Sequence, residues 1–146
     1  MNEKEIEILL VDDNLNDAEL TMRVLYKYNL ANKIIHLTDG ACALDFLFGE
    51  GLYENRDTSL KPKLILLDVK MPKVDGLEVL KRIKSEELTK KIPVVMLTSS
   101  RENPDIEKSY ALGVNSYIVK PVDFTGFSKA ISEVGLFWLI LNQSPY

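Results

Sequence analysis

The stretch that decides the fold is LKPKLILLDVKMPKVDG, residues 60–76. Its four consecutive apolar residues, Leu64–Leu67, are typical of a strand that is buried on both faces of a parallel sheet. The run stops at Asp68, and an ionised carboxylate inside such a strand would need a partner or a metal ion. At the carboxyl end of the strand the same acid can face a crevice, because Met71-Pro72 and Asp75-Gly76 then turn the chain into a helix. Asp68 therefore has the position of a residue that does chemistry.

Strand-like and helix-like patterns alternate along the rest of the chain. Short runs of apolar and β-branched residues predict strands over residues 6–11, 33–37, 64–67, 94–97 and 116–119. Apolar residues at helical spacing predict helices over Asn16–Tyr28 and Asp39–Phe48 and a third helix with the apolar stripe Leu77, Leu80 and Ile83. Capping residues predict two more: a fourth helix that begins at the cap Asn103 and Pro104 and ends at Gly113, and a fifth that is capped by Asp123. This alternation predicts an α/β fold, in which a parallel sheet with right-handed crossovers carries helices on both faces.

Composition limits the classes of function. The chain has 146 residues, of which 46% are hydrophobic and 27% charged, and we expect residues 1–146 to form one globular domain with no attached output domain. A net charge of −4 argues against direct binding of nucleic acid, which rewards clustered Lys and Arg. The N-terminus lacks the pattern of a signal peptide, and we found no run approaching the ~20 apolar residues that span a bilayer. The single cysteine, Cys42, is expected to fill the core in a reducing cytoplasm.

Polar residues follow several of the predicted strands, where doubly wound sheets bind their ligands. They are Asp12, Asp13, Asp68, Thr98 and Lys120. Converging carboxylates repel one another by roughly 4 kcal/mol per pair at about 4 Å and an effective dielectric of about 20, so a cation is needed among them. Mg²⁺ is suitable because it prefers oxygen ligands and is commonly held by one or two carboxylates and a phosphate. Since aspartate can act as a covalent nucleophile, these groups predict capture of a phosphoryl group on Asp68.

Four ordered motifs resemble the response regulator receiver domain of two-component signalling. They are VDDN at residues 11–14, LLDVKMPKVDG at 66–76, MLTSS at 96–100 and YIVKP at 117–121. The resemblance implies a flavodoxin-like sheet with the strand order 2-1-3-4-5. It also implies that Asp68 accepts a phosphoryl group from the phosphohistidine of a sensor histidine kinase. Mg²⁺ would be held by Asp12, Asp13, Asp68 and the backbone carbonyl of Lys70.

The resemblance further implies how phosphorylation is read out. Thr98 and Lys120 would contact the phosphoryl group, and Tyr117 would move inward as Thr98 is drawn toward it. The partner-binding surface around the fourth helix, fifth strand and fifth helix would then change. The resemblance also implies a cis peptide bond at Lys120-Pro121. The long loop at residues 48–63 and LFWLILNQ, residues 136–143, look like stand-alone receivers that partner bacterial and cyanobacterial phytochromes.

The last predicted helix carries more apolar residues than one buried face needs. The predicted core face consists of Phe124, Phe127, Ile131, Val134, Trp138 and Leu141. Three apolar residues are left over, namely Phe137, Leu139 and Ile140. Such a surplus near a chain end indicates a covered surface, and we expect a homodimer contact or a kinase docking site.

Other classes of function remain as alternatives. A pseudo-receiver would bind partners without phosphorylation, although such chains usually lack part of the acid set that is intact here. An aspartyl-phosphate hydrolase normally needs a second acid two residues after its nucleophile, and position 70 is a lysine. We therefore expect no enzyme beyond a receiver that promotes its own phosphorylation and dephosphorylation. His36 is expected to pack within its strand. A simpler interpretation of Tyr117 is that it is a half-buried aromatic residue of its strand.

Overall fold

The computed structural model describes residues 6–146, which form one five-stranded parallel sheet between two layers of helices. The strands are β1 (Ile8–Val11), β2 (Ile34–Leu37), β3 (Leu64–Leu67), β4 (Val94–Thr98) and β5 (Ser116–Val119). The helices are α1 (Leu15–Lys27), α2 (Gly40–Phe48), α3 (Gly76–Ser85), α4 (Asn103–Ala111) and α5 (Phe124–Gly135). The strand order is β2-β1-β3-β4-β5, which confirms the predicted doubly wound fold. Residues 1–5, part of the predicted domain, lie outside the described residues.

Four of the helices begin with a side-chain cap immediately after a strand or its connecting loop. Asn14, Asp39, Asp75 and Asp123 each accept a hydrogen bond from the backbone N–H three residues later. Such caps satisfy amide groups that have no partner within the helix. Helix α4 differs from its prediction, because Asn103 is its first residue and Glu102 precedes it without a side-chain cap bond.

The central strands send alternate side chains to two separate hydrophobic cores. Leu9 and Val11 face the core that contains buried residues of α2 and α3, whereas Ile8 and Leu10 face the core that contains those of α1 and α5. Helix α4 contributes much less to either core, since the buried residue of this helix is the polar Ser109. The sheet is thus held firmly by four helices, and α4 is the loosely packed one.

The C-terminal helix corrects part of the prediction. Phe127, Ile131 and Val134 are buried as expected, but Phe124 and Leu141 are exposed. The prediction that Phe124 is buried is wrong, because α5 begins at this residue, beyond the end of the sheet. Leu141 is wrong because the helix changes at Leu136–Leu141 to a π-helix, whose wider turn breaks the 3.6-residue periodicity.

The change to a π-helix also alters which of the surplus apolar residues are buried. Leu139 and Trp138 pack partly against the core beside α1, whereas Phe137 and Ile140 are exposed. By length and composition alone, the 18 residues Phe124–Leu141 are long and apolar enough to cross a membrane. No segment of this kind was predicted from the sequence. One such helix is weak evidence of a membrane span, and Phe127, Ile131 and Val134 of this one are buried against the sheet.

We expect the α2 cap to contribute a pH-dependent part of the stability. The Cys42 N–H donates to Asp39 Oδ1 at 2.8 Å, and this hydrogen bond lowers the pKa of Asp39 against the opposing effect of burial. Asp39→Ala should lower the free energy of unfolding by about 1 kcal/mol at neutral pH. Asp39→Asn should lose less, because an amide oxygen still caps the helix.

Urea denaturation at several pH values measures both effects. The folded pKa is lowered, so the contribution of the charge is complete above the unfolded pKa of about 4 and is lost as the pH falls through the lower, folded value. The difference between the wild-type chain and Asp39→Asn should therefore shrink as the pH falls below about 4. A difference that widens in acid would contradict this account.

Candidate functional site

The carboxyl ends of the parallel strands bring the predicted polar residues to one edge of the sheet. Asp12 follows β1 and Asp68 follows β3, and the preceding residues Val11 and Leu67 are register partners. Lys120 follows β5, in which Val119 is paired with Thr98 at the end of β4. Residues 108 positions apart, such as Asp12 and Lys120, therefore meet.

The Lys120 ammonium lies among three carboxylates. Its Nζ donates to Asp12 Oδ2 at 2.8 Å, to Asp17 Oδ2 at 2.9 Å and to Asp68 Oδ2 at 3.3 Å. The side chains of Lys120, Asp12 and Asp68 are all nearly buried. No cis bond is needed for this inward direction, because none of the peptide bonds among residues 6–146 is cis. The expected cis bond at Lys120-Pro121 is therefore wrong.

Three of the acids also form a group that fits a divalent cation. Oxygen atoms of Asp12, Asp13 and Asp68 all lie within 4.8 Å of one another. Oxygen ligands on one octahedral Mg²⁺ are about 2.9 Å apart when adjacent and about 4.2 Å apart when opposite. Small side-chain movements would therefore place all three on one ion. Two of the three, Asp12 and Asp68, together with Asp17 already surround the one ammonium of Lys120, so an added cation would relieve the excess of negative charge.

The burial of these charged groups shifts their pKa values. Burial raises the pKa of the Asp12 carboxyl to about 6, although the hydrogen bond and charge of Lys120 act in the opposite direction. For Lys120, burial acts to lower the pKa, but the hydrogen bond to Asp12 and the charges of Asp68 and Asp12 outweigh it. The net direction for Lys120 is upward, so the ammonium stays charged at neutral pH.

An open pocket of about 430 Å³ gives solvent access to this group. Asp13, Asp68, Lys70, Thr98 and Lys120 all line it, so the structure brings together nearly all of the predicted site. Asp12 lies behind this surface and reaches the site through its ion pair. The Lys70 side chain points along the rim, where its Nζ lies 3.4 Å from Glu102 Oε2.

Tyr117 lies apart from the pocket but is connected to Thr98 by hydrogen bonds. The Ser100 N–H donates to Thr98 Oγ1 at 3.3 Å, and the Tyr117 hydroxyl donates to the Ser100 carbonyl oxygen at 3.0 Å. Ser100 Oγ in turn donates to Asp105 Oδ2 of α4 at 2.5 Å. This chain of contacts joins the end of β4 to both α4 and β5.

Sequence reasoning missed two residues of the site. Asp17 contacts Lys120 from the first turn of α1, and no local sequence pattern points to this contact, because the two residues are 103 positions apart. His36 was expected only to pack, but its Nε2 lies 2.9 Å from the backbone carbonyl oxygen of Asp12. Because a carbonyl can only accept, this nitrogen donates and His36 holds the Asp12 peptide group.

Gly76 fixes the backbone behind Asp68. Its N–H donates to the Val69 carbonyl oxygen, and a Cβ at this position would lie only 1.9 Å from the Asp68 carbonyl oxygen. Backbone cannot move aside as a flexible side chain can. The first residue of α3 must therefore be glycine for the chain to pass so close to Asp68.

We expect Gly76→Ala to lower the free energy of unfolding by about 1–3 kcal/mol, the usual cost of overpacking. Gly126→Ala is the matched control in the first turn of α5. The nearest atoms to its added Cβ, at 3.0 and 3.1 Å, are the oxygens of the Asp123 carboxylate, a flexible side chain that also caps α5. This variant should therefore lose at most about 1 kcal/mol, the usual worth of a cap. Urea denaturation of both variants tests the difference, and equal stability of the two would contradict the backbone argument.

Comparison with known proteins agrees with this geometry. The family model described as the response regulator receiver domain matches residues 8–132. The probable methanogenesis regulatory protein FilR2 of Methanothrix harundinacea is 43% identical over 138 residues, which cover 94% of this chain and 86% of that protein. The response regulator Rcp1 of Synechocystis is 42% identical over 132 residues, covering 90% of this chain and 88% of that protein.

Two crystal structures of similar proteins extend the comparison. The Mn²⁺-bound form of Rcp1 has a TM-score of 0.89 at 40% identity, and the match covers 97% of this chain and 99% of that one. The phosphorylated cyanobacterial phytochrome response regulator RcpA has a TM-score of 0.90 at 37% identity, with the same coverage of both chains. With the sheet order and the acidic site already described, these matches show that the chain belongs to the response regulator receiver domain family of two-component signalling.

Proposed function

We propose that this receiver is a phosphorylation-gated switch in which Asp68 accepts a phosphoryl group from the phosphohistidine of a sensor histidine kinase. The observation that carries the proposal is the juxtaposition of Asp68 with two further acids and with Lys120 in one solvent-accessible pocket. Neither a structural ion pair nor a helix cap requires so many acids around one buried ammonium. A cytoplasmic location belongs to the same proposal.

The transfer uses groups that the fold already holds in position. A carboxylate oxygen of Asp68 forms a bond to phosphorus while the P–N bond of the phosphohistidine breaks, and the imidazole leaves with the electron pair. Lys120 supplies a charged donor for a phosphoryl oxygen, and Thr98 at the pocket wall supplies a neutral one. The chain thus promotes only its own phosphorylation and dephosphorylation.

The metal in this proposal is Mg²⁺, held by Asp12, Asp13, Asp68 and the backbone carbonyl of Lys70. The spacing of the three carboxylates and the Mn²⁺-bound form of Rcp1 support a divalent cation at this position. When bound, Mg²⁺ would neutralise charge on the phosphoryl oxygens. The protein's own part is to keep the three acids converged, which the register of β1 and β3 does.

The output of the switch is a changed surface at α4, β5 and α5. Phosphorylation adds strong acceptor oxygens that can draw the Thr98 hydroxyl toward them. Thr98 is hydrogen-bonded to Ser100, and Ser100 to both Tyr117 and Asp105, so a shift of Thr98 would disturb all three. The loose packing of α4 lets it respond, because few buried contacts resist its movement.

The proposed phosphoryl donor is a phytochrome-type histidine kinase. RcpA supports this partner, since it is a cyanobacterial phytochrome response regulator. Large apolar side chains beside the site offer a docking surface for a kinase, namely Leu15, Val122 and Phe124, of which Val122 is 97% exposed. Each of them lies within four residues of a site residue along the chain.

Phosphorylation by a small donor tests the proposal directly. With Mg²⁺ and acetyl phosphate, the wild-type chain should gain one labile phosphoryl group, which peptide mapping should locate on Asp68. Asp68→Asn should reduce the modification below detection, because a carboxamide is a poor nucleophile. Chelation of the metal with EDTA should also abolish it.

Asp75→Asn is the matched control for Asp68→Asn. Asp75 caps α3 through the Glu78 N–H at 3.0 Å, and an asparagine oxygen can keep that cap. This variant should be modified as fast as the wild-type chain. A wild-type chain that takes no phosphoryl group would favour the pseudo-receiver, and modification that persists in Asp68→Asn would place the acceptor elsewhere.

We also propose that the chain forms a homodimer through its C-terminal π-helix. Its exposed apolar side chains lie within six residues of the chain and are about half accessible to solvent, and they are Leu136, Phe137, Ile140 and Leu141. Such a patch at one end of a domain is typical of a protein interface. Part of the same segment, Trp138 and Leu139, packs on the core and so fixes the patch to the domain.

Sedimentation over a range of concentrations, with and without a phosphoryl mimic, tests the dimer. Ile140→Glu should weaken the association by about tenfold or more, because a charge would be buried at the centre of the patch. Leu52→Glu is the control, since Leu52 is 96% exposed in the short 3₁₀ turn Gly51–Tyr53, far from the π-helix in sequence. A wild-type chain that stays monomeric at all concentrations would contradict the proposal.

A further inference from the structure

Among residues 6–146, Asp17 is the one acid in contact with Lys120 that lies outside the three-acid group suited to a cation. Its carboxylate is 2.9 Å from Lys120 Nζ, and its side chain is 32% exposed at the mouth of the pocket. Asp12 and Asp68, the other partners of Lys120, both belong to the cation-binding group. A bound cation would therefore weaken the hold of those two acids on Lys120, but it would leave Asp17 unneutralised.

All three donors of Lys120 are already used. An ammonium has three N–H groups, and the contacts to Asp12, Asp17 and Asp68 account for one each. Lys120 can donate to an incoming phosphoryl oxygen only if one of these contacts is released. With a cation on Asp12 and Asp68, the remaining competitor for the ammonium is Asp17.

The backbone of Asp17 is held rigidly, so the competition is built into the fold. The Asp17 N–H donates to the Asn14 cap at 3.0 Å, and the Asp17 carbonyl oxygen accepts from Thr21 Oγ1 at 2.8 Å. Helix α1 thus presents the carboxylate to a lysine that lies 103 residues further along the chain.

We propose that Asp17 is a positioning residue that holds Lys120 in the unphosphorylated state and competes with the phosphoryl group for it. This inference rests on the proposed function, because it assigns a regulator to the same site. Phosphorylation exchanges the ion pair of Lys120 with Asp17 for one with a phosphoryl oxygen. Removing the competing charge makes that exchange more favourable, so Asp17 limits how much of the chain is phosphorylated.

Titration with beryllium fluoride, a mimic of the phosphoryl group, in saturating Mg²⁺ tests the inference. Asp17→Asn should bind the mimic about two- to fivefold more tightly than the wild-type chain, the range expected for losing a partly exposed ion pair. Asp17→Ser should behave in the same way and serves if the asparagine variant folds poorly. Asp17→Glu, which keeps the carboxylate, should restore wild-type affinity.

Glu102→Gln separates this competition from a general effect of charge. Glu102 lines the same pocket, but its carboxylate pairs with Lys70 instead of Lys120, so this variant should bind like the wild-type chain. Unchanged or weaker binding by Asp17→Asn and Asp17→Ser would overturn the inference, as would an equal gain in Glu102→Gln. A purely structural role for Asp17 would lower stability without tightening binding. A wild-type chain that binds no mimic would instead overturn the proposed function and the inference with it.

Discussion

The ion pairs of Lys120 with three carboxylates are the interaction on which this end of the molecule depends. Burying a charge costs several kcal/mol unless it is paired and hydrogen-bonded, and here each N–H of the ammonium has an oxygen partner. The contacts join the ends of β1, β3 and β5 to the first turn of α1. The Lys120 side chain therefore both stabilises the edge of the sheet and holds the acids of the candidate site together.

The two sides of the sheet have different roles in this arrangement. Helices α1 and α5 pack on one face and hold the acids and the lysine in position, with α1 supplying Asp17 itself. On the other face, α2 and α3 are firmly buried, but α4 buries little more than Ser109. In the proposed switch, a signal at the pocket would therefore move α4 at low cost while the edge that carries the acids stays fixed. The hydrogen bonds from Thr98 through Ser100 to Tyr117 and Asp105 provide the connection.

Most of the fold could be predicted because its signals are local. The run Leu64–Leu67 is apolar at every position, and a strand with this pattern must be covered on both faces. The capping residues Asp39, Asp75 and Asp123 mark helix starts through hydrogen bonds to their own neighbours. The prediction for the C-terminal helix was partly wrong because the deciding signal was not local. The change to a π-helix at Leu136 altered which residues face the core.

The site was predictable in part for the same reason. A strand end places its next residue at the carboxyl edge, so Asp12, Asp68 and Lys120 could be assigned from sequence to a shared crevice. Asp17 and His36 could not, because a helical acid and a mid-strand histidine acquire their partners from distant segments.

The sequence by itself determined the alternation of strands and helices, the buried character of the sheet and the acids at its carboxyl edge. Those properties follow from periodicity and from the chemistry of single residues. Only the tertiary structure decided that Asp17 shares Lys120 with Asp12 and Asp68, that Gly76 passes against Asp68, and which apolar side chains at the C-terminus stay exposed. Contacts between residues far apart in the chain depend on strand register and helix packing, which no local pattern contains.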